Sequence, residues 1–145
     1  LSGNTGYNGT YYVEGDATVS GNPGSMATPW QASVFATGSI EISGNPVMTA
    51  ETEGFGLVAG GDLRINGNPQ QSYNGALMAR EQVSISGNPN VIGYIIATNA
   101  ATTSTAVAGA STISGNVNIT YNGGGPGVPG GITVDLWQEL ILGLH

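Results

Sequence analysis

Apolar and polar positions along this chain keep a fixed phase relative to one short phrase, Ser-Gly-Asn, usually followed by Pro. The phrase stands at Ser2-Gly3-Asn4, Ser20-Gly21-Asn22-Pro23, Ser43-Gly44-Asn45-Pro46, Asn66-Gly67-Asn68-Pro69, Ser86-Gly87-Asn88-Pro89 and Ser114-Gly115-Asn116, at spacings of 18, 23, 23, 20 and 28 residues. One position upstream lie Val19, Ile42, Ile65, Ile85 and Ile113, with Leu1 in the same column, and three upstream lie Ala17, Ile40, Leu63 and Val83. Thr18, Glu41, Arg64, Ser84 and Thr112 fall between them. This alternation has period two and predicts a strand in each repeat with one face buried. A second apolar cluster precedes it, at Tyr11-Tyr12-Val13, Val34-Phe35-Ala36, Leu57-Val58-Ala59, Leu77-Met78-Ala79 and Ile95-Ile96-Ala97. Between the two runs Gly15, Gly38, Gly61 and Gly109 form a column broken by Glu81, which suits a backbone turning a corner.

Recurrence near 20 residues is the signature of a solenoid, whose single unit cannot bury its own apolar face. The expected fold is therefore all-β, a single-stranded right-handed parallel β-helix of about five coils with a C-terminal capping segment. The hand follows the preference of parallel crossovers. Stacked at the strand spacing, Asn22, Asn45, Asn68, Asn88 and Asn116 are expected to form an inward amide ladder. The competing reading is that each Asn-Pro makes only a surface turn.

The expected solenoid covers residues 1–122, followed by a Gly/Pro linker over 123–131 and an apolar cap over 132–145. In that last segment Asp135 and Gln138 have capping-box spacing, and Leu136, Trp137, Leu140 and Ile141 make a helical stripe. It reads either as a cap over the open end of the stack or as a docking segment for another protein. The triplets Tyr7-Asn8-Gly9, Tyr73-Asn74-Gly75 and Tyr121-Asn122-Gly123 mark one recurring corner, and the stretch from Thr98 to Thr105, with no apolar pattern, accounts for the longest spacing.

Composition narrows the partners. The charged fraction is only 8%, both cations are Arg, and the net charge is −7, which disfavours nucleic acid and anionic membrane surfaces. No apolar run approaches the roughly 20 residues that span a bilayer, so no membrane insertion by this segment is expected. With no Cys there is neither a disulfide nor thiolate chemistry. The chain begins at Leu1 in mid-repeat, from which a processed or truncated protein with a targeting segment upstream is expected.

Catalytic machinery is not expected. The sole His is His145, and Asp16 and Asp62 share a column but are separated by Ser39, two strand spacings or roughly 10 Å apart. Glu41 and Arg64 are placed for a surface ion pair. Glu51 and Glu53 are two carboxylates in one loop, read as a solvated corner more readily than as a calcium site, and no metal or cofactor is expected. Trp30, Tyr73, Tyr94 and Tyr121 are the candidate sugar-stacking residues, against the plainer reading of corner packing.

The succession Gly-Thr-Tyr-Tyr-Val-Glu-Gly-Asp, Ile-Ser-Gly-Asn-Pro, Leu-Val-Ala-Gly-Gly-Asp-Leu-Arg-Ile-Asn-Gly-Asn-Pro and a closing Trp-Gln-Glu resembles the C-terminal β-helical region of bacterial PilX-type proteins, which are associated with type IV pilus assembly. Bactofilin-type polymerising solenoids are similar in outline but fit the Ser-Gly-Asn-Pro phrase less well. The resemblance implies a structural or adhesive surface module and carries over no catalytic residue. The expected function is a non-catalytic extracellular or cell-surface structural module, pilus-associated, with other protein subunits or surface glycans as partners. The alternatives are a carbohydrate-binding adhesin and a self-assembling filament subunit that stacks end to end.

Overall fold

Where apolar residues alternate with polar ones, extended chain buries one face, and like strands of successive repeats pair side by side. The computed structural model describes residues 1–52, 54–68, 71–101 and 103–121, whose strands are numbered β1 to β14 in chain order. Five of them, β2 (Ala17–Val19), β4 (Ile40–Ile42), β7 (Leu63–Gly67), β10 (Val83–Gly87) and β13 (Thr112–Ile113), form one parallel sheet. Its register sets Ile42 beside Ile65 and Ile65 beside Ile85, all fully buried.

The other nine strands form a second parallel sheet. The second apolar cluster supplies β1 (Gly9–Val13), β3 (Trp30–Ala36), β6 (Phe55–Ala59), β9 (Ala76–Ala79) and β12 (Ile95–Ala97). The short segments after the last four occurrences of the repeated phrase supply β5 (Val47–Thr49), β8 (Ser72–Asn74), β11 (Asn90–Ile92) and β14 (Asn118–Thr120), a third run. Both runs meet at β3: its start, Trp30 and Gln31, pairs with β5, and its end, Val34 to Ala36, pairs with β6. The sheet therefore forks along β3 and curls.

These findings correct the expected single-stranded right-handed parallel β-helix of about five coils. The all-β class and the parallel pairing of like residues are present, but the strands build two sheets lying side by side, the larger a curled half-barrel. The difference comes from the segments after Asn-Pro, expected to be corners. They are strands, and through the long β3 they join the second cluster into one continuous sheet. The expected linker over 123–131 and cap over 132–145 lie outside the described residues.

One core serves both sheets. Val34, Leu57 and Leu77 face Ile40, Ile42, Leu63, Ile65 and Ile85, with Trp30 from the start of β3 and Met48, Tyr73 and Val91 from β5, β8 and β11. Each fully buried Ile or Leu contributes roughly 1.5–3 kcal/mol. The Arg64–Glu41 ion pair, at 3.5 Å with both side chains about two-fifths exposed, contributes at most about 1 kcal/mol. Core burial decides the stability.

Candidate functional site

The two sheets differ on their outer faces. On the five-stranded sheet the outward column is Thr18, Glu41, Arg64, Ser84 and Thr112, polar throughout, as a solvated face requires. On the β1-β3-β6-β9-β12 run the outward column is Tyr12, Phe35, Val58, Met78 and Ile96, paired in register and apolar throughout. Their neighbours Val34, Ala36, Leu57, Ala59, Leu77 and Ala79 already fill the inner face. Tyr12 is 79% exposed and Ile96 37%, with Phe35, Val58 and Met78 half-buried between them. The Tyr12 and Phe35 rings stack at 5.4 Å between centroids, with planes 18° apart.

This stripe crosses five strands, roughly 19 Å at the ~4.8 Å strand spacing. Its first four members, Tyr12, Phe35, Val58 and Met78, form the floor of a groove of about 990 Å³. Along the groove's edge, at the strand ends, runs a second column, Glu14, Thr37, Gly60, Arg80 and Thr98, with one acid and one base three strands apart. The sequence carried a signal for the stripe: the middle residue of each apolar triplet is apolar where alternation with a solvated face demands a polar one. Taken as triplets, the clusters read as core.

A second cluster lies at the corner between β1/β3/β6/β9 and the five-stranded sheet, where two carboxylates are buried. Ser39 N–H donates to Asp16 Oδ1 at 2.7 Å, Asp62 N–H to Ser39 Oγ at 3.0 Å, and Gln82 N–H to Asp62 Oδ1 at 3.0 Å, so this column is stitched from repeat to repeat. The segment after β12 folds back over it. Val107 N–H donates to Asp62 Oδ2 at 2.8 Å, Ser104 N–H to Glu81 Oε2 at 2.8 Å, and the Thr103 hydroxyl to Glu81 Oε1. The Thr103 hydroxyl and then the Ser104 N–H hold the Glu81 carboxyl below its ordinary value, outweighing burial, which raises it. With both oxygens of each carboxylate accepting backbone or hydroxyl donors, the arrangement clamps a loop. The Gly column continues at Asn99 rather than Gly109: Asn99 N–H donates to the Glu81 carbonyl and its φ is 53°, left-handed backbone that Asn tolerates.

The Asn column runs along the outside of its corner. Asn22, Asn68 and Asn116 are exposed, and Asn45 and Asn88 half-buried. Three of the side-chain oxygens take a backbone N–H of the next repeat: Asn45 N–H donates to Asn22 Oδ1 at 3.1 Å, Asn68 N–H to Asn45 Oδ1 at 3.2 Å, and Asn116 N–H to Asn88 Oδ1 at 3.3 Å. Asn88 N–H donates instead to the Gly67 carbonyl, so the series is interrupted there. The inward amide-to-amide ladder is corrected to an outer one of side-chain oxygens on main-chain donors, because the inside of the corner is filled by close-stacked glycine backbone.

Two of the four candidate sugar-stacking aromatics are corrected as well. Trp30 and Tyr73 are 3% and 2% exposed core residues, drawn inward by the third strand run, with the Trp30 indole N–H donating to the Tyr7 carbonyl at 2.7 Å. Tyr94 is half-buried, and Tyr121 is exposed. Glu51 is exposed beside the fork, and Glu53 lies outside the described residues, as do Leu136, Trp137, Leu140 and Ile141. Among the described residues no group of three or more His, Cys, Asp or Glu side chains is placed to hold a metal ion, and no helix is long and apolar enough to cross a membrane. No family model, curated protein or solved structure matches the chain.

Proposed function

We propose that this chain is a non-catalytic structural module of an extracellular or cell-surface assembly, which docks a protein on the apolar stripe Tyr12-Phe35-Val58-Met78-Ile96. The observation that carries the proposal is the contrast between the two outer columns of one molecule. A solvated sheet face takes polar residues, as Thr18, Glu41, Arg64, Ser84 and Thr112 do, and a contiguous apolar face marks an interaction surface. Parallel pairing over a shared core holds the five side chains at fixed spacing, so little ordering is required on binding. The resemblance of the repeats to the PilX-type region supports a pilus-associated setting. The sugar-binding alternative loses Trp30 and Tyr73 to the core.

A photo-crosslinking amino acid placed at position 58, on the stripe, and separately at position 41, on the polar face, tests this in the cell that makes the protein. Protein adducts from position 58 and none from position 41 are expected. Absence of adducts at 58, or equal adducts at both, overturns the docking function.

The end-to-end filament is a second reading, favoured by Ile113, Ile119 and Tyr121, which are 52%, 44% and 59% exposed on the last strands of the two sheets and beside them. Light scattering of a variant lacking residues 132–145 tests it: growth of long particles is expected, and a soluble monomer overturns it.

A further inference from the structure

Resting on the docking function of the stripe, we infer that its occupant is a second copy of this chain, related by a two-fold axis along the strand direction that brings Glu14 of each copy against Arg80 of the other. The chain has two cations in all, and Arg64 is already paired with Glu41 at 3.5 Å. Arg80 is exposed on the edge of the apolar groove and makes no ion pair among the described residues. Glu14 is exposed on the same edge, three strands away, with the neutral Thr37 and Gly60 between. In a chain of net charge −7, an edge that carries one acid and one base is the place where a like molecule finds complementary charge.

A two-fold interface must be self-complementary, residue i meeting j and j meeting i. An axis along the strands reverses the order of the repeats while keeping edge against edge. Glu14 of the first repeat then faces Arg80 of the fourth, twice. The same operation sets Tyr12 against Met78 and Phe35 against Val58, a large aromatic opposite a smaller or more flexible side chain at each of these four levels, with Ile96 one strand beyond the overlap. Ring against thioether is a favourable contact, and two twisted sheets pack face to face about 10 Å apart with strands nearly aligned. The stripe is small beside a standard interface of roughly 800 Å² per partner, so the dimer belongs to the weak, concentration-dependent class.

Within one chain Glu14 and Arg80 are three strand spacings apart, roughly 14 Å, too far to pair. Charge exchange between these positions therefore reports only on contacts between copies. Analytical ultracentrifugation over a wide concentration range is expected to show a reversible monomer–dimer equilibrium for the unaltered chain. Glu14→Arg and Arg80→Glu are each expected to weaken it at least about tenfold, since each sets like charges together twice. Both sites are exposed, and circular dichroism confirms that the variants keep the fold. Association is expected to return in the double variant E14R/R80E, and in an equimolar mixture of the two single variants, each monomeric alone. A monomer at every concentration, or failure of the exchange to restore association, overturns the two-fold dimer. Adducts from position 58 to a different protein while the chain stays monomeric leave the docking function standing and this inference fallen, whereas no adduct from position 58 removes both.

Discussion

Gly44 sits so close over Gly21 that a Cβ on Gly44 would stand 1.8 Å from the Gly21 carbonyl oxygen and 2.5 Å from its nitrogen. Gly87 repeats the relationship over Gly67, where a Cβ would stand 1.8 Å from the carbonyl oxygen. The invariant middle of the Ser-Gly-Asn phrase is thus a packing requirement between repeats. Main chain stacks on main chain with no room for a side chain, and neither partner has a flexible end to yield. Gly44→Ala is expected to destabilise the protein by at least about 2 kcal/mol, at the upper end of overpacking effects, measured by urea unfolding. Gly15, in the outer Gly column, has open space around its Cβ position. A Gly44→Ala variant as stable as the parent would show that the repeats are not stacked this closely.

The hydroxyl of Ser33 holds the fork of the larger sheet. It receives Glu51 N–H at 3.0 Å and Thr52 N–H at 2.8 Å and donates to the Phe55 carbonyl at 2.5 Å, with Ser33 itself fully buried. Where β3 pairs with β5 at one end and β6 at the other, the intervening turn leaves these main-chain groups off the ladder, and one hydroxyl takes up all three. Ser33→Ala strands them at roughly 1–3 kcal/mol for a buried group, so a loss of about 2 kcal/mol or more is expected. Amide exchange at Thr52 should accelerate, while exchange at Ile65, in the other sheet, should follow only the global loss.

What the sequence disclosed depended on how each element advertises itself. Ile42, Ile65 and Ile85 alternate with polar residues at a constant offset from a repeated phrase, so their strand and their mutual pairing were legible. The strands β5, β8 and β11 of the third run were not. Val47–Thr49, Ser72–Asn74 and Asn90–Ile92 are three residues each, too short for a period, and share only a buried middle residue, Met48, Tyr73 or Val91. Without that run, the joining of two clusters into one curled sheet could not be foreseen, and Trp30 and Tyr73 looked available to a ligand. The burial of Asp62 and Glu81 was hidden for another reason. They are covered by Thr103, Ser104 and Val107, two of which reach them through backbone N–H groups that any residue type provides. The stripe was legible in principle, since Tyr12, Phe35, Val58, Met78 and Ile96 break the alternation that Thr18, Glu41, Arg64, Ser84 and Thr112 keep.

Acid should release the loop clamped at the corner. The Glu81 carboxyl is held below its ordinary value of 4.5 by the Thr103 hydroxyl and the Ser104 N–H. A depressed folded-state pKa contributes stability that is present above the ordinary value and is lost as pH falls through the folded one. Protonation therefore withdraws an acceptor from Thr103 and Ser104 below about pH 4.5. The Ser104 amide is expected to exchange faster with falling pH, corrected for intrinsic rates, before the Ile65 amide does. Glu81→Gln should show the faster Ser104 exchange already at neutral pH and lose most of its acid dependence. Unchanged exchange at Ser104 in that variant would mean that the clamp is held elsewhere.

Tyr73 presents the opposite case, a buried polar atom whose removal should help. Its hydroxyl lies in the core with no hydrogen-bond partner among the described residues, and burial pushes the phenol well above its ordinary value of 10.0. An unpaired buried hydroxyl carries a desolvation cost, and an isosteric apolar replacement removes it. Tyr73→Phe is therefore expected to leave stability unchanged or raise it by up to about 1 kcal/mol at neutral pH. A raised folded-state pKa means that the unfolded chain ionises first, so stability is fully present below pH 10.0 and falls as pH rises above it. Urea midpoints at neutral pH and near pH 11 should show an alkaline loss in the parent that is smaller in Tyr73→Phe. If Tyr73→Phe instead lowers stability at neutral pH, the hydroxyl is satisfied, and the third strand run is packed differently around it.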